Sequence, residues 1–354
     1  MDRTEVNRTN NTVCSGILTP QSSDSGPVLV VEPQTAQASD SACDSNFNEE
    51  LLSLRSVHST GIALQQYRNQ MIDGGLRHYI NINRNSQTLF RDIVDIYKRV
   101  RDDLRKKPDV TFEGEEGVDA GGPTLEFLWL ALSQMRQGDG GKVSLFEGSS
   151  GHLLPVHCFS YLDSGLFYVF GKVVAHSILP GGTGSPGLSP AMGRFIASGD
   201  VDSTSSLVSA EDIPDTDYKD VIEKILGAKT ADDIQQLSSN PLVQVMLDNA
   251  GFTGVFLSLE NKEIAANQIM VHEVLNKRGR EVEDIRRGLE SLVSLLSTCS
   301  SLCNQIFPRS QEFGINPEMV KSQITLMEGE VLNNENKRNA LIFSGFKVTL
   351  NNLE

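Results

Sequence analysis

The sequence predicts an α+β, mainly helical architecture with a few short strands. Three observations point there. Leu89, Ile93, Ile96, Tyr97, Val100 and Leu104 recur at helical spacing. The run Leu166, Phe167, Val169, Phe170, Val173, Val174 and Ile178 is apolar on most sides of a helix, as a central core helix is. Extended runs such as Val110-Thr111-Phe112 are brief by comparison.

Taken in order, residues 1–58 are rich in Ser, Thr, Asn, Asp and Gln and predict a disordered polar tail, because such a stretch buries too little apolar area to offset chain entropy. Val28-Leu29-Val30-Val31 is its one apolar run. Residues 59–86 read as a linker or the start of the ordered region, and a single large domain follows over 87–345. Its first helix is expected over 87–105, stopped by Pro108, with the strand Val110-Thr111-Phe112 next. The glycine-rich turn Gly114 to Gly122 then leads to Pro123, a residue suited to a first helical turn. Leu125, Leu128, Trp129 and Leu132 are expected to form the buried stripe of that helix. A loop over 136–158, with an extended piece at Ser144-Leu145-Phe146, precedes the central helix, and Gly181 to Gly187 breaks that helix. Short helices and loops follow to about residue 260. The segment 281–297 reads as one helix, with Val282, Ile285, Leu289, Leu292 and Leu296 inward and Glu283 paired to Arg287. Phe346, Val348 and Leu350 alternate like a strand in a truncated end, 346–354.

Composition narrows the function. The formal net charge of −15 argues against nucleic acid as main partner, since phosphate binding needs a basic face. The dense basic run of Arg99, Arg101, Arg105, Lys106 and Lys107 fits the solvated face of a helix. No run approaches the roughly 18 apolar residues that span a bilayer, and the first residues lack an apolar signal core, so no membrane partner and a cytoplasmic or nuclear location are expected. Cys14, Cys43, Cys158, Cys299 and Cys303 are scattered and odd in number, which does not make a disulfide framework. Cys299 and Cys303, on one helix face, lack further ligands for zinc and read as small core residues. The sequons at Asn7 and Asn10 would not be glycosylated in that location.

The glycine-rich turn invites comparison with a phosphate cradle. Glu113, Glu115, Glu116 and Asp119 surround it and no lysine of a phosphate-binding loop follows, so an anion is repelled. The glycines instead permit positive φ, and Asp119 is expected to bond backbone amides within the turn. The carboxylate spacing does not match a calcium loop, and neither metal nor organic cofactor is expected. The histidines are dispersed, and adjacent His157 and Cys158 point apart in most backbones, which disfavours a dyad.

The string Val110-Thr111-Phe112-Glu113-Gly114-Glu115-Glu116-Gly117-Val118-Asp119-Ala120-Gly121-Gly122-Pro123-Thr124 resembles the strand–turn–helix signature of HECT-type ubiquitin-protein ligases. Leu145-Phe146-Glu147, Leu153-Leu154-Pro155, Phe170 to Ile178, Glu211 to Asp215 and Glu260-Asn261-Lys262 resemble later blocks of the family in the same order. The resemblance covers roughly residues 80–345 and implies the family's N-terminal lobe, with Gly114, Glu115, Gly117, Asp119, Gly121 and Gly122 as its structural turn. Two departures accompany it. Leu125 stands where the family usually has arginine, which removes a cation beside Glu115 and Glu126. No cysteine follows Cys303, so the lobe carrying the catalytic cysteine is expected to be missing, and no catalytic residue is assigned.

The family transfers ubiquitin to lysine through a cysteine thioester, which needs a thiolate able both to attack and to leave. Cys158, within Leu154-Pro155-Val156-His157-Cys158-Phe159, imitates the catalytic string but lies among first-lobe blocks, where a half-buried structural cysteine is expected. The resemblance implies docking of a ubiquitin-conjugating enzyme, and contact with ubiquitin, through a subdomain near 225–258. Leu237, Leu242, Val243, Val245, Met246 and Leu247 either line that docking groove or form the subdomain's own core. The alternative to a ligase lobe is a non-catalytic protein that sequesters a conjugating enzyme or bridges substrates.

Overall fold

A computed structural model describes residues 60–309, apart from 86, 100–103, 116–118, 139–142 and 255. The tail 1–58 with its Val28–Val31 run, Val100 and Arg101 of the basic run, Gly117 of the turn, and the end 346–354 with its alternating strand lie outside the described residues.

Helix α1 (Thr60–Met71) leads directly into strand β1 (Asp73–Ile82). Helix α2 (Leu89–Arg99) connects β1 to strand β2 (Lys106–Phe112), and the two strands pair in parallel from His78 opposite Pro108 to Ile82 opposite Phe112. This β–α–β unit exists because a parallel pair needs a crossover, and α2 buries Leu89, Phe90, Ile93, Val94 and Tyr97. Pro108 therefore sits inside a strand instead of stopping a helix; in a two-stranded ladder its missing N–H costs little.

Helix α3 (Gly122–Gln137) carries Pro123 in its first turn and buries Thr124, Phe127, Leu128, Ala131, Leu132 and Met135. Leu125 and Trp129 are exposed, which corrects their place in the expected stripe. The core lies on the face centred one position away, and it includes the small Ala131. The next region, expected as a loop, holds two short antiparallel strands, β3 (Phe146–Glu147) and β4 (Leu154–Pro155), followed by the short helix α4 (Phe159–Asp163).

Helix α5 (Leu166–Ile178) is buried on all sides except at Tyr168, and with its apolar residues it buries the polar Lys172, His176 and Ser177. Helices α2, α3 and α4 pack against it, and α11 (Gly279–Leu289) crosses it most closely. Helix α6 (Pro190–Ser198) closes one side against α11, α12 (Ser291–Thr298) and the last short turn, α13 (Cys303–Ile306). The single helix expected over 281–297 is divided at Glu290, which adopts φ of 53°. Arg287 bonds Asp284 one turn back, and its expected partner Glu283 is not the one it selects. Cys299 closes α12 and Cys303 opens α13, with a 3-10 turn between them, so they do not share one helix. Cys303 is buried and Cys299 half-buried, as small core residues are.

Four further helices form a layer of their own: α7 (Thr216–Gly227), α8 (Ala231–Ser238), α9 (Pro241–Asn249) and α10 (Lys262–Val274). Asp215, Thr230 and Asn240 cap the first three by accepting backbone N–H bonds. The buried Arg278 ties α10 back to the main body. Its Nε donates to the Pro155 carbonyl at 2.8 Å, Nη2 reaches Glu147 at 2.5 Å, and Nη1 bonds the Glu273 carbonyl.

Candidate functional site

The turn between β2 and α3 is built around Asp119. Its Oδ1 accepts from Gly121 N–H at 2.7 Å and Thr124 N–H at 3.4 Å, and its Oδ2 accepts from Val110 N–H at 2.8 Å and from the Thr124 hydroxyl. Burial alone would raise its pKa, but these donors outweigh that and hold the carboxyl below its usual value. Gly114 at φ 80° and Gly121 at φ 114° take conformations that L side chains resist, whereas Gly122 is helical. Asp119 thus acts as an internal acceptor fastening strand to helix, and its oxygens are occupied.

Glu115 is half-exposed, and its cation comes from an unexpected place. Arg84, in the turn after β1, donates from Nη2 to Glu115 at 2.8 Å and from Nη1 to Glu126 at 2.5 Å. Its Nε lies 2.7 Å from the other Glu115 oxygen, near enough to pair but out of line for a hydrogen bond. The guanidinium also sits 4.0 Å above the Phe112 ring. Arg84 thus pairs two carboxylates that lie 31 and 42 positions further along the chain.

The helical layer holds the apolar residues singled out near 225–258. Val243, Met246 and Leu247 are buried, and Leu237 and Leu242 are partly buried against the same core. Val245 alone of the six is exposed, at 49%. The layer does expose large apolar side chains, at positions the sequence reading did not select. Lys262 Nζ donates to the carbonyls of Leu226 and Ala228, at 2.8 and 2.6 Å, and pins the start of α10 to the end of α7. Asn261 Nδ2 donates to the Phe256 carbonyl at 2.9 Å, and Asn261 Oδ1 accepts from Ser258 N–H at 2.7 Å. These bonds gather Leu226, Phe256, Leu259 and Ile264 around one helix junction, and all four are exposed, Phe256 at 80%. A cleft of about 470 Å³ adjoins the junction at Gly227 and Ala228 and is lined on its other side by Gln236, Leu237 and Asn240. Leu259 and Ile264 each adjoin a glutamate, but Leu226 and Phe256 are flanked by uncharged residues, and periodicity alone does not separate core from surface there.

Cys158 is half-buried at the start of α4. Its Sγ lies 3.1 Å from Ser160 Oγ, and this contact, with the Tyr161 amide, lowers the thiol pKa. His157 turns away from it, with Nδ1 bonding Glu281 at 2.9 Å. Of the other described histidines, His152 bonds Asp212 at 2.7 Å, His176 bonds Tyr97 at 2.8 Å, His78 stacks on His176, and His272 lies 4.0 Å from Glu273. No group of three His, Cys, Asp or Glu side chains among the described residues converges as a metal site. No described helix is long and apolar enough to cross a membrane.

No protein-family model matches the chain. A stretch of 150 residues, 42% of the chain, is 29% identical to the G2/M phase-specific E3 ubiquitin-protein ligase of Gallus gallus. A stretch of 74 residues, 21% of the chain, is 36% identical to the probable E3 ubiquitin-protein ligase HECTD2 of Mus musculus and, equally, of Homo sapiens. These matches span 19% of the first relative's length and 10% of the second's. The chain thus shares distant, partial similarity with E3 ubiquitin-protein ligases.

Proposed function

We propose that this chain serves a HECT-type ubiquitin-protein ligase as the lobe that docks a ubiquitin-conjugating enzyme. The observation that carries the reading is the set of exposed apolar residues Leu226, Phe256, Leu259 and Ile264, beside the junction that Lys262 and Asn261 hold on the helical layer. Large apolar side chains left in water lose free energy until a partner covers them, and aromatic anchors commonly dominate such interfaces. The partial similarity to E3 ligases says which class of partner to test first. Of the residues first considered for docking, Val245 remains a surface contributor, Leu237 and Leu242 contribute at the edge, and Val243, Met246 and Leu247 support the layer from within.

In this reading the transfer chemistry is not performed by the residues described. Cys158 is the thiol that tests that statement. The purified chain is mixed with conjugating enzymes charged with ubiquitin, and binding and thioester formation are read separately. Binding that weakens about ten-fold or more in Phe256→Ala/Ile264→Ala, with unchanged circular dichroism and no reducible ubiquitin adduct, is the expected result. Absence of binding at high concentration and low salt overturns the docking role. A reducible adduct lost in Cys158→Ala overturns the assignment of a lobe without chemistry.

A further inference from the structure

We propose that the partner docking at the junction of α7 and α10 meets it with a basic face, and that the exposed carboxylates beside that junction set the rate of encounter. The inference rests on the docking role proposed above and adds the chemistry of the partner. Glu260 follows Leu259, Glu263 precedes Ile264, and Glu223 lies one turn before Leu226 on α7, so a carboxylate adjoins three of the exposed apolar residues. All three glutamates are exposed, and among the described residues none of them forms an ion pair or a side-chain hydrogen bond. Lys262 lies between Glu260 and Glu263, but its Nζ donates to the Leu226 and Ala228 carbonyls and pairs with neither. The remaining lysines of the layer each stand near another acid: Lys219 beside Asp220, Lys224 on the cleft wall with Asp233, and Lys229 three positions before Asp232.

Like charges set close together repel, and a cation brought up to them relieves the repulsion. A rim of one sign steers an oppositely charged partner and fixes its orientation, whereas the apolar centre governs how long the complex lasts. Exposed ion pairs add little to final affinity, so the charge of these glutamates is read chiefly in the association rate. A partner with a neutral or acidic docking face gains nothing from them, and a nucleic acid is repelled. The partner that fits is a folded protein offering an apolar contact ringed by lysine or arginine.

Association and dissociation of the full chain with purified ubiquitin-conjugating enzymes are followed by surface plasmon resonance at low and high salt. Glu223→Gln/Glu260→Gln/Glu263→Gln is compared with the parent, with Phe256→Ala, and with Glu283→Gln, an exposed α11 substitution outside the layer. The triple variant is expected to associate about ten-fold more slowly at low salt, with dissociation nearly unchanged and a flatter salt dependence. Phe256→Ala is expected to speed dissociation instead, and Glu283→Gln to change neither rate. The substituted glutamates are exposed, so circular dichroism of the triple variant should match the parent's. Binding whose association rate ignores either salt or the triple substitution overturns the basic-face proposal and leaves the docking role standing. Absence of binding by every enzyme at low salt overturns both.

Discussion

Gly171 of α5 and Gly288 of α11 meet where the two helices cross, and neither position has room for a side chain. A Cβ on Gly171 would lie 2.2 Å from the Ile285 carbonyl oxygen and 2.9 Å from the Gly288 Cα. A Cβ on Gly288 would lie 2.1 Å from the Tyr168 carbonyl oxygen. All the obstructing atoms are backbone, so no side-chain rotation relieves them, and the helices must separate. Gly171→Ala or Gly288→Ala is expected to cost about 1–3 kcal/mol or more of stability, as overpacking does. Urea denaturation checks this; a variant as stable as the parent refutes the close crossing.

His176 makes folding stability depend on pH. Burial holds its pKa down at about 3 from an ordinary 6.5, with His78 lowering it further. Between these values the unfolded chain takes up a proton that the folded chain does not, so stability falls as pH drops from 6.5 toward 3. His176→Gln removes this contribution. It is expected to be less stable than the parent near neutral pH, with the gap narrowing as pH falls, measured as Tm against pH.

Removing the Asp119 carboxylate leaves the N–H groups of Val110, Gly121 and Thr124 without their acceptor. Asp119→Ala is expected to cost about 2–3 kcal/mol, the scale for hydrogen bonds to a charged group. Because the folded pKa lies below the usual 3.8, the parent's advantage is present above that value and disappears as pH falls through the folded pKa. Chemical denaturation at pH 7 and near pH 2 compares the two; a constant gap contradicts the assignment.

Arg84→Ala should act weakly on stability and visibly on the turn. Its carboxylate partners are half-exposed, so each pair is worth on the order of 0–1 kcal/mol, with the Phe112 contact adding a similar amount. A Tm decrease of a few degrees, together with faster amide exchange at Gly114 and Glu115, is the expected outcome. Global unfolding would mean the turn depends on Arg84 far more than its exposure allows.

Where side-chain pattern alone carries the information, the sequence reading matched the structure closely. The α5 run is apolar on most sides, as a central position requires, and α2 buries Leu89, Ile93 and Tyr97 of its expected stripe, although it ends at Arg99, before Leu104. Asp119 bonds the Gly121 amide within its turn, as the turn chemistry predicts, and also reaches the Val110 amide in β2 and the Thr124 hydroxyl. The candidate docking residues were less legible. Val243 and Met246 have the same apolar character as Phe256 and Ile264, yet the first two are buried and the last two face solvent. Likewise β1 was hidden by its Gly74-Gly75 start and polar Arg77 and His78, a composition with little strand preference of its own.

The sequence by itself determined the mainly helical class, the central helix and the strand–turn–helix unit, because periodicity and turn chemistry act over a few residues. Tertiary structure alone decided that β1 pairs with β2, that Arg84 is the cation beside Glu115 and Glu126, that Glu290 divides the long helix, and which apolar groups stay exposed. Each of those outcomes depends on partners far along the chain, whose proximity is set by close packing of the whole core and not by any local preference.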